Sequence, residues 1–144
     1  MTVEHATIRE ATPADLPKLE AIRAVALPDS SPRLLAFGVR GPAIALVACP
    51  EAVVGYALVL PDERRGDAYL AELAVEPGHR RRGHGRALLE AAARRVADHD
   101  RLTLTTRATD DRARAFYREA GFTLAERLPG HYDGVDGVRL ARPP

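Results

Sequence analysis

Val75-Glu76-Pro77-Gly78-His79-Arg80-Arg81-Arg82-Gly83-His84-Gly85 runs from the end of an apolar stretch into an amphipathic one. It reads as a strand end, a basic glycine-bearing turn and a helix start. A helix start leaves its first backbone N–H groups without intrahelical partners, and the macrodipole adds partial positive charge there. Glycines let such a turn take left-handed angles and approach phosphate oxygens closely. The three arginines at 80–82 add charge-assisted donors. The stretch is therefore read as a pyrophosphate cradle.

Two common nucleotide motifs fail on it. A P-loop needs Gly-Lys-Ser/Thr, but the chain has a single lysine, Lys18, far from the turn. A dinucleotide fingerprint needs a third Gly or Ala three residues after Gly85, where Leu88 stands. A nucleic-acid surface is disfavoured by the formal net charge of +1, since a dedicated binding domain is much more basic.

At these positions the chain resembles the GNAT superfamily of N-acetyltransferases, whose coenzyme A loop reads Val-x-Pro, a short spacer, then Gln/Arg-x-x-Gly-x-Gly/Ala. Val75, Pro77, Arg80, Gly83 and Gly85 fill that pattern. The segment Ala113-Arg114-Ala115-Phe116-Tyr117-Arg118-Glu119-Ala120-Gly121-Phe122 resembles the family's Ala-x-x-Leu/Phe-Tyr-x-x-x-Gly-Phe. The resemblance runs from Thr7 to about Arg142.

Outward from the loop, the periodicity gives a consistent order. Short strands are expected at 6–10, 43–49, 53–60, 68–75, 101–107, 123–127 and 137–141. Helices are expected from the Thr12-Pro13-Ala14-Asp15 start, around 33–37, over 86–97 and over 110–120. Gly121 ends the last of these in the left-handed cap, with Phe122 as its hydrophobic contact. The expected fold class is α/β: one GNAT-like domain over 1–144, with a mixed, mostly antiparallel sheet flanked by about four helices. A composition of 46% apolar and 28% charged residues suits a globular domain. A lone cysteine, Cys49, allows neither an internal disulfide nor a cysteine metal cluster. No membrane span or signal segment is read, so a cytoplasmic location is expected.

The resemblance implies acetyl-CoA as co-substrate, without a metal. The backbone of Leu73, Ala74 and Val75, with Arg80, Arg81, Arg82, Gly83, His84, Gly85 and Arg86, would hold pantetheine and pyrophosphate. A bulge at 73–75 would free a backbone N–H to polarise the thioester carbonyl. Bulky or β-branched side chains at Gly83 or Gly85 are expected to clash, and His79 and His84 to face solvent. Tyr117 matches the family's general acid. A phenol stays protonated at neutral pH and can give its proton to a leaving thiolate. Glu72 is the one acid in an apolar strand. It is either the general base or an ion-pair partner of a nearby arginine. Alternation puts it opposite Leu73 and Val75, unless a bulge resets the parity. Asp110 stands where many relatives have asparagine, and reads as a helix cap.

The stretch 128–137 reads as a loop between the last two strands. Its Pro129-Gly130-His131-Tyr132-Asp133-Gly134-Val135-Asp136-Gly137 resembles the Tyr-Tyr-x-Asp-Gly-x-Asp of N-terminal protein acetyltransferases, including those acting on ribosomal-protein alanine termini, with His131 for the first tyrosine. Tyr132 and Asp133 are the acceptor-binding candidates, with Asp136 beside them. A glycine-rich surface hairpin is the alternative. A peptide N-terminus or a small-molecule amine is the expected acceptor, with no nucleic-acid or membrane partner and a monomer or homodimer as the state. A non-catalytic acyl-CoA-binding or protein-interaction module of the same fold is the other class.

Overall fold

The computed structural model describes residues 7–144. Its strands are β1 (Ile8–Glu10), β2 (Ile44–Ala48), β3 (Gly55–Leu60), β4 (Asp67–Val75), β5 (Arg101–Arg107), β6 (Thr123–Tyr132) and β7 (Val135–Arg142). Its helices are α1 (Leu16–Ala26), α2 (Pro32–Arg40), α3 (His84–Arg95) and α4 (Asp111–Glu119). The seven strands form one sheet in the order β1-β2-β3-β4-β5-β7-β6. Each neighbouring pair is antiparallel except β4 and β5. This is the expected mixed sheet with four helices. Ala6, the first residue of the first expected strand, lies outside the described residues.

Apolar residues on opposite faces of the strands separate two cores. One packs Leu88, Leu89 and Ala92 of α3 against Leu46, Ala57, Leu70, Leu102 and Leu140 of the sheet. The other packs Leu19 and Ile22 of α1 and Leu35 of α2 against Val47, Tyr56 and Ala74. A buried leucine of this kind is worth roughly 1.5–3 kcal/mol.

The helix ends follow the sequence cues. Pro13–Asp15 form a 3-10 turn ahead of α1, so Pro17 falls in the first turn, where its missing N–H costs little. Asp15 closes a capping box with Thr12 and takes both guanidinium nitrogens of Arg9, at 2.8 and 3.0 Å. At the other end of the chain, Gly121 has φ +94°. Phe122 N–H donates to the Tyr117 carbonyl and Gly121 N–H to the Arg118 carbonyl, both at 3.0 Å. That is a Schellman cap, and the Phe122 ring lies 5.4 Å from that of Tyr117.

The Arg9 hydrogen bonds, chiefly, hold the Asp15 carboxyl down at about 2. A depressed folded-state pKa gives stability that is present above the unfolded value and lost as pH falls toward 2. Arg9 is 41% exposed, so screening reduces the contribution to about 1 kcal/mol. Asp15→Asn should therefore lower urea-unfolding stability by about that amount at pH 7, and the gap should close between pH 4 and pH 2.

Two expectations about strands need correction. The stretch 128–137 is not an open loop. β6 and β7 continue through it and close on the two residues Asp133 and Gly134, with φ +48° and +89°. Asp-Gly with both φ positive is the type I′ hairpin turn, whose twist matches the strands. The second correction concerns the bulge, which is at Ala71 and not at 73–75. Leu58 pairs with Glu72 but Val59 pairs with Leu70, leaving Ala71 as the extra residue. Leu73, Ala74 and Val75 pair regularly with Ala57, Tyr56 and Gly55.

Candidate active site

The bulge decides which side chains reach which face. Before it, Ala68 and Leu70 pack on the α3 side. After it, Leu73 and Val75 take that side, while Ala74 joins the α1–α2 side. Glu72 lies opposite Leu73, as alternation required, and the bulge is what turns it away from the face Leu70 occupies.

β4 also parts from β5. Their parallel pairing spans only Asp67↔Arg101 to Tyr69↔Thr103. Beyond it β5 pairs with β7 alone, as far as Arg107↔Gly137. The β5-facing backbone edge of β4 after Tyr69 therefore opens into a cleft of about 570 Å³. Leu73, Ala74 and Val75 line one wall, His79–Arg81 and Gly83–Arg86 the floor, and Asp110, Arg112, Ala113, Phe116 and Tyr117 the opposite wall. The open backbone edge at 73–75 thus comes from a splayed strand pair, not from a bulge there.

The floor is built as the sequence suggested. Pro77–His79 form a 3-10 turn, and Gly83 is the N-cap of α3 with φ +86° and no side-chain cap. The first N–H groups of α3 thus have no competing side-chain acceptor at the cap. Arg81 also has a positive φ, +63°. Glu76, at the head of the turn, binds Lys18 and His79, fixing the loop to α1. Arg80, Arg81 and Arg82 ring the turn, with Arg81 and Arg82 exposed. Arg86 points elsewhere: its guanidinium binds Glu90 at 3.1 Å and the Glu119 carbonyl at 3.3 Å, tying α3 to α4.

One loop expectation changes. His84 is buried, at 1% exposure, rather than solvent-facing, because it is the first residue of α3 and its ring turns inward. Gly85 lies inside α3, and a Cβ there would meet the Phe116 ring at an ordinary 3.5 Å. A single methyl group therefore fits at 85, with Phe116 and Val75 limiting anything larger, and the demand for a left-handed residue rests on Gly83.

Tyr117 stands in the opposite wall between Phe116 and Phe122, with ring centroids 5.1 and 5.4 Å away. Among the described residues its hydroxyl has no hydrogen-bond partner, so the alternative of a phenol tied to backbone is not what is seen. Burial, with Asp110 adding negative charge, raises its pKa above the ordinary value. Asp110 caps α4 by accepting from the Ala113 N–H at 3.0 Å.

Glu72 is 4% exposed. Its Oε1 accepts from the Tyr56 hydroxyl at 2.7 Å, and its Oε2 is buried without a partner. Burial raises the carboxyl's pKa; the Tyr56 hydrogen bond and the Arg23 charge oppose that rise. No arginine bonds it directly. Arg23 gives its donors to Glu20, the Leu27 carbonyl and Ser30. Glu72 does not line the cleft; its neighbour along the same face, Ala74, does.

Tyr132 and Asp133 do not line the cleft; the Tyr132 hydroxyl donates to Thr105 at 3.3 Å, and Thr105 shares a 2.9 Å hydrogen bond with Tyr69. Arg107 lies over the Tyr132 ring at 5.0 Å. Gly137 leaves the space for that ring: a Cβ there would come within 2.9 Å of it. Asp133 is exposed on the turn, and Asp136 accepts from the Gly130 N–H. Ala26 and Leu27 also line the cleft, and sequence reasoning missed Tyr56 as the partner of Glu72. Only a three-dimensional pairing of β3 with β4 shows the latter.

The Acetyltransferase (GNAT) family model matches residues 11–122. Mycothiol acetyltransferase of Saccharomonospora viridis is 40% identical over 103 residues, 69% of this chain and 29% of its own length. N-alpha-acetyltransferase 30 of Xenopus laevis is 40% identical over 80 residues, 54% of this chain and 29% of its own length. The chain therefore spans less than a third of either relative. The ribosomal-protein-S18-alanine N-acetyltransferase of Escherichia coli superposes with a TM-score of 0.84 at 26% identity, covering 96% of this chain and 94% of that one. With a matched segment that contains the whole of the splayed strands, the glycine cradle and the tyrosine helix, the chain belongs to the GNAT family of acetyltransferases.

Proposed function

We propose that this chain is a single-domain, acetyl-CoA-dependent N-acetyltransferase that moves an acetyl group to a primary amine by direct transfer in a ternary complex. The observation that carries this is the left-handed, uncapped Gly83 at the start of α3, set below the parted β4 and β5 and facing Tyr117. A helix N-terminus with close backbone access suits a pyrophosphate. The open β4 edge suits an extended amide-bearing arm, and the cleft has the volume of a small-molecule site.

In that reading, the acceptor nitrogen attacks the thioester carbonyl carbon. The N–C bond forms, the C–S bond breaks, and the sulfur leaves as a thiolate that takes the Tyr117 proton. Its raised pKa keeps Tyr117 protonated until a thiolate is there to receive the proton. The open donors of β4 stabilise the oxyanion. Glu72, which lies outside the cleft lining, takes the ammonium proton through water, and the second proton that the nitrogen loses as the amide forms returns Tyr117 to its neutral state. Tyr132 and Asp133 shape the acceptor side.

The relatives are named for mycothiol and for ribosomal-protein S18 alanine, so the test needs both acceptor classes. Acetyl-CoA is incubated with an alanine-starting hexapeptide and, separately, with a panel of small primary amines. Thiol release and an acetylated product from one of them support the reading. Acetyl-CoA binding without thiol release from any acceptor supports a non-catalytic acyl-CoA-binding module instead.

A base whose pKa is raised by burial is ionised only above that pKa. Turnover should therefore fall as pH drops through the Glu72 titration, and Glu72→Gln should remove that acid limb while lowering the plateau about 10–100-fold. An acid limb identical in Glu72→Gln removes Glu72 from the reaction.

A further inference from the structure

Tyr56 is fully buried on β3, and its ring belongs to the α1–α2 core. Its hydroxyl is spent on one contact, the 2.7 Å hydrogen bond to Glu72 Oε1. The pairing follows from register. Tyr56 faces Ala74 and Leu58 faces Glu72, so the phenol reaches its diagonal neighbour on the face that the Ala71 bulge assigns to both. Without that bulge Glu72 would share the α3 face with Leu70, out of reach of Tyr56. A phenol buried this deeply is unneeded for packing, where phenylalanine fills nearly the same volume, and its hydroxyl would be a burden without a charged partner.

The charged and titratable groups facing Glu72 are Tyr56 from β3 and Arg23 and Glu20 from α1. Arg23 acts through its charge alone, since its donors are taken by Glu20 and the loop after α1. Tyr56 is the one direct hydrogen-bond partner of the carboxylate among the described residues. Its bond occupies Oε1, while Oε2 is buried with no partner among the described residues. An unsatisfied buried carboxylate oxygen is a strong proton acceptor.

Resting on the proposed function, we propose that Tyr56 is the positioning residue of the general base: by binding Oε1 of Glu72 it fixes the carboxylate and leaves Oε2 as the oxygen that takes the acceptor's proton. A hydrogen bond to the charged form favours ionisation. Losing it should move the Glu72 titration upward by roughly one to two pH units, the size of a hydrogen bond to a charged group.

Two readouts on Tyr56→Phe test this. The first is the carbonyl infrared band of protonated Glu72, assigned by its absence in Glu72→Gln and titrated without substrates. The second is the acid limb of thiol release with acetyl-CoA and whichever acceptor the panel identifies. The expected result is that both move upward together in Tyr56→Phe, with acetyl-CoA affinity unchanged. Tyr56→Phe combined with Glu72→Gln should be no slower than Glu72→Gln alone. An unmoved band, or a uniform loss of rate at all pH values, overturns the proposal and leaves Tyr56 as packing. Should Tyr56→Phe fail to fold, 3-fluorotyrosine placed at position 56 alone keeps the shape and strengthens the donor. Both readouts should then move downward, and fixed values overturn the proposal. A moved band in a protein that releases no thiol from any acceptor marks the failure of the enzymatic reading itself, and ends the catalytic use of Tyr56 with it.

Discussion

Tyr117→Phe should lower turnover by roughly 10²–10³-fold while leaving the acetyl-CoA dissociation constant within about twofold. The ring is held by Phe116 and Phe122 whether or not it carries a hydroxyl, so the wall of the cleft stays in place. What disappears is a proton donor whose oxygen makes no other hydrogen bond among the described residues. Because the hydroxyl has no structural partner, the substitution leaves no buried group unpaired, and thermal stability should hold within about 0.5 kcal/mol. Loss of rate with affinity and stability intact is the mark of a group used only in the transition state. Steady-state kinetics at saturating acetyl-CoA, beside an equilibrium binding measurement, checks it. Unchanged turnover would return Tyr117 to the role of an aromatic core residue.

Gly83→Val should weaken acetyl-CoA binding by about 100-fold or more. At φ +86° a β-branched residue is strongly disfavoured, by roughly 1–3 kcal/mol of backbone strain. The strain is relieved by rotating the turn, which pulls the first N–H groups of α3 out of line and puts a side chain where the backbone must be bare. Gly85→Ala is the control, because its new methyl group would sit at 3.5 Å from Phe116 and leave the α3 backbone as it is. Its affinity should stay within about threefold of the unaltered protein. Isothermal titration of the two variants separates backbone conformation from bulk. Equal losses in both would mean that the cradle needs empty space rather than a left-handed residue.

How much of this was visible before the fold? The parts governed by local rules were. The Pro13 and Gly121 helix ends, the β5 strand from Arg101 to Arg107 and the Gly83 turn depend on residues within a few positions of one another. The Asp133-Gly134 hairpin is also local. Its type I′ signal lies inside a stretch that also resembles an acceptor loop. Other features depend on pairing between distant strands. No residue at 71 announces a bulge; alanine fits either a regular or a bulged strand. The parting of β4 from β5 arises because β7 takes over the β5 edge, a choice made by residues some seventy positions away from β4. The Tyr56–Glu72 hydrogen bond joins residues 16 apart through register alone. His84 looked exposed because a charged neighbourhood suggests a solvated turn, whereas the helix that begins there buries its ring.

The catalytic assignments share a dependence on the cleft being an acyl-CoA site. The direct measurement is thermal unfolding of the unaltered protein alone and with acetyl-CoA, with ATP and NAD as nucleotide controls. A ligand at about 100 times its dissociation constant adds about 2.7 kcal/mol, enough to raise the midpoint by several degrees in a domain of this size. That rise is expected with acetyl-CoA, little with ATP or NAD, and none in Gly83→Val. No rise at millimolar acetyl-CoA would mean that the cleft is not an acyl-CoA site.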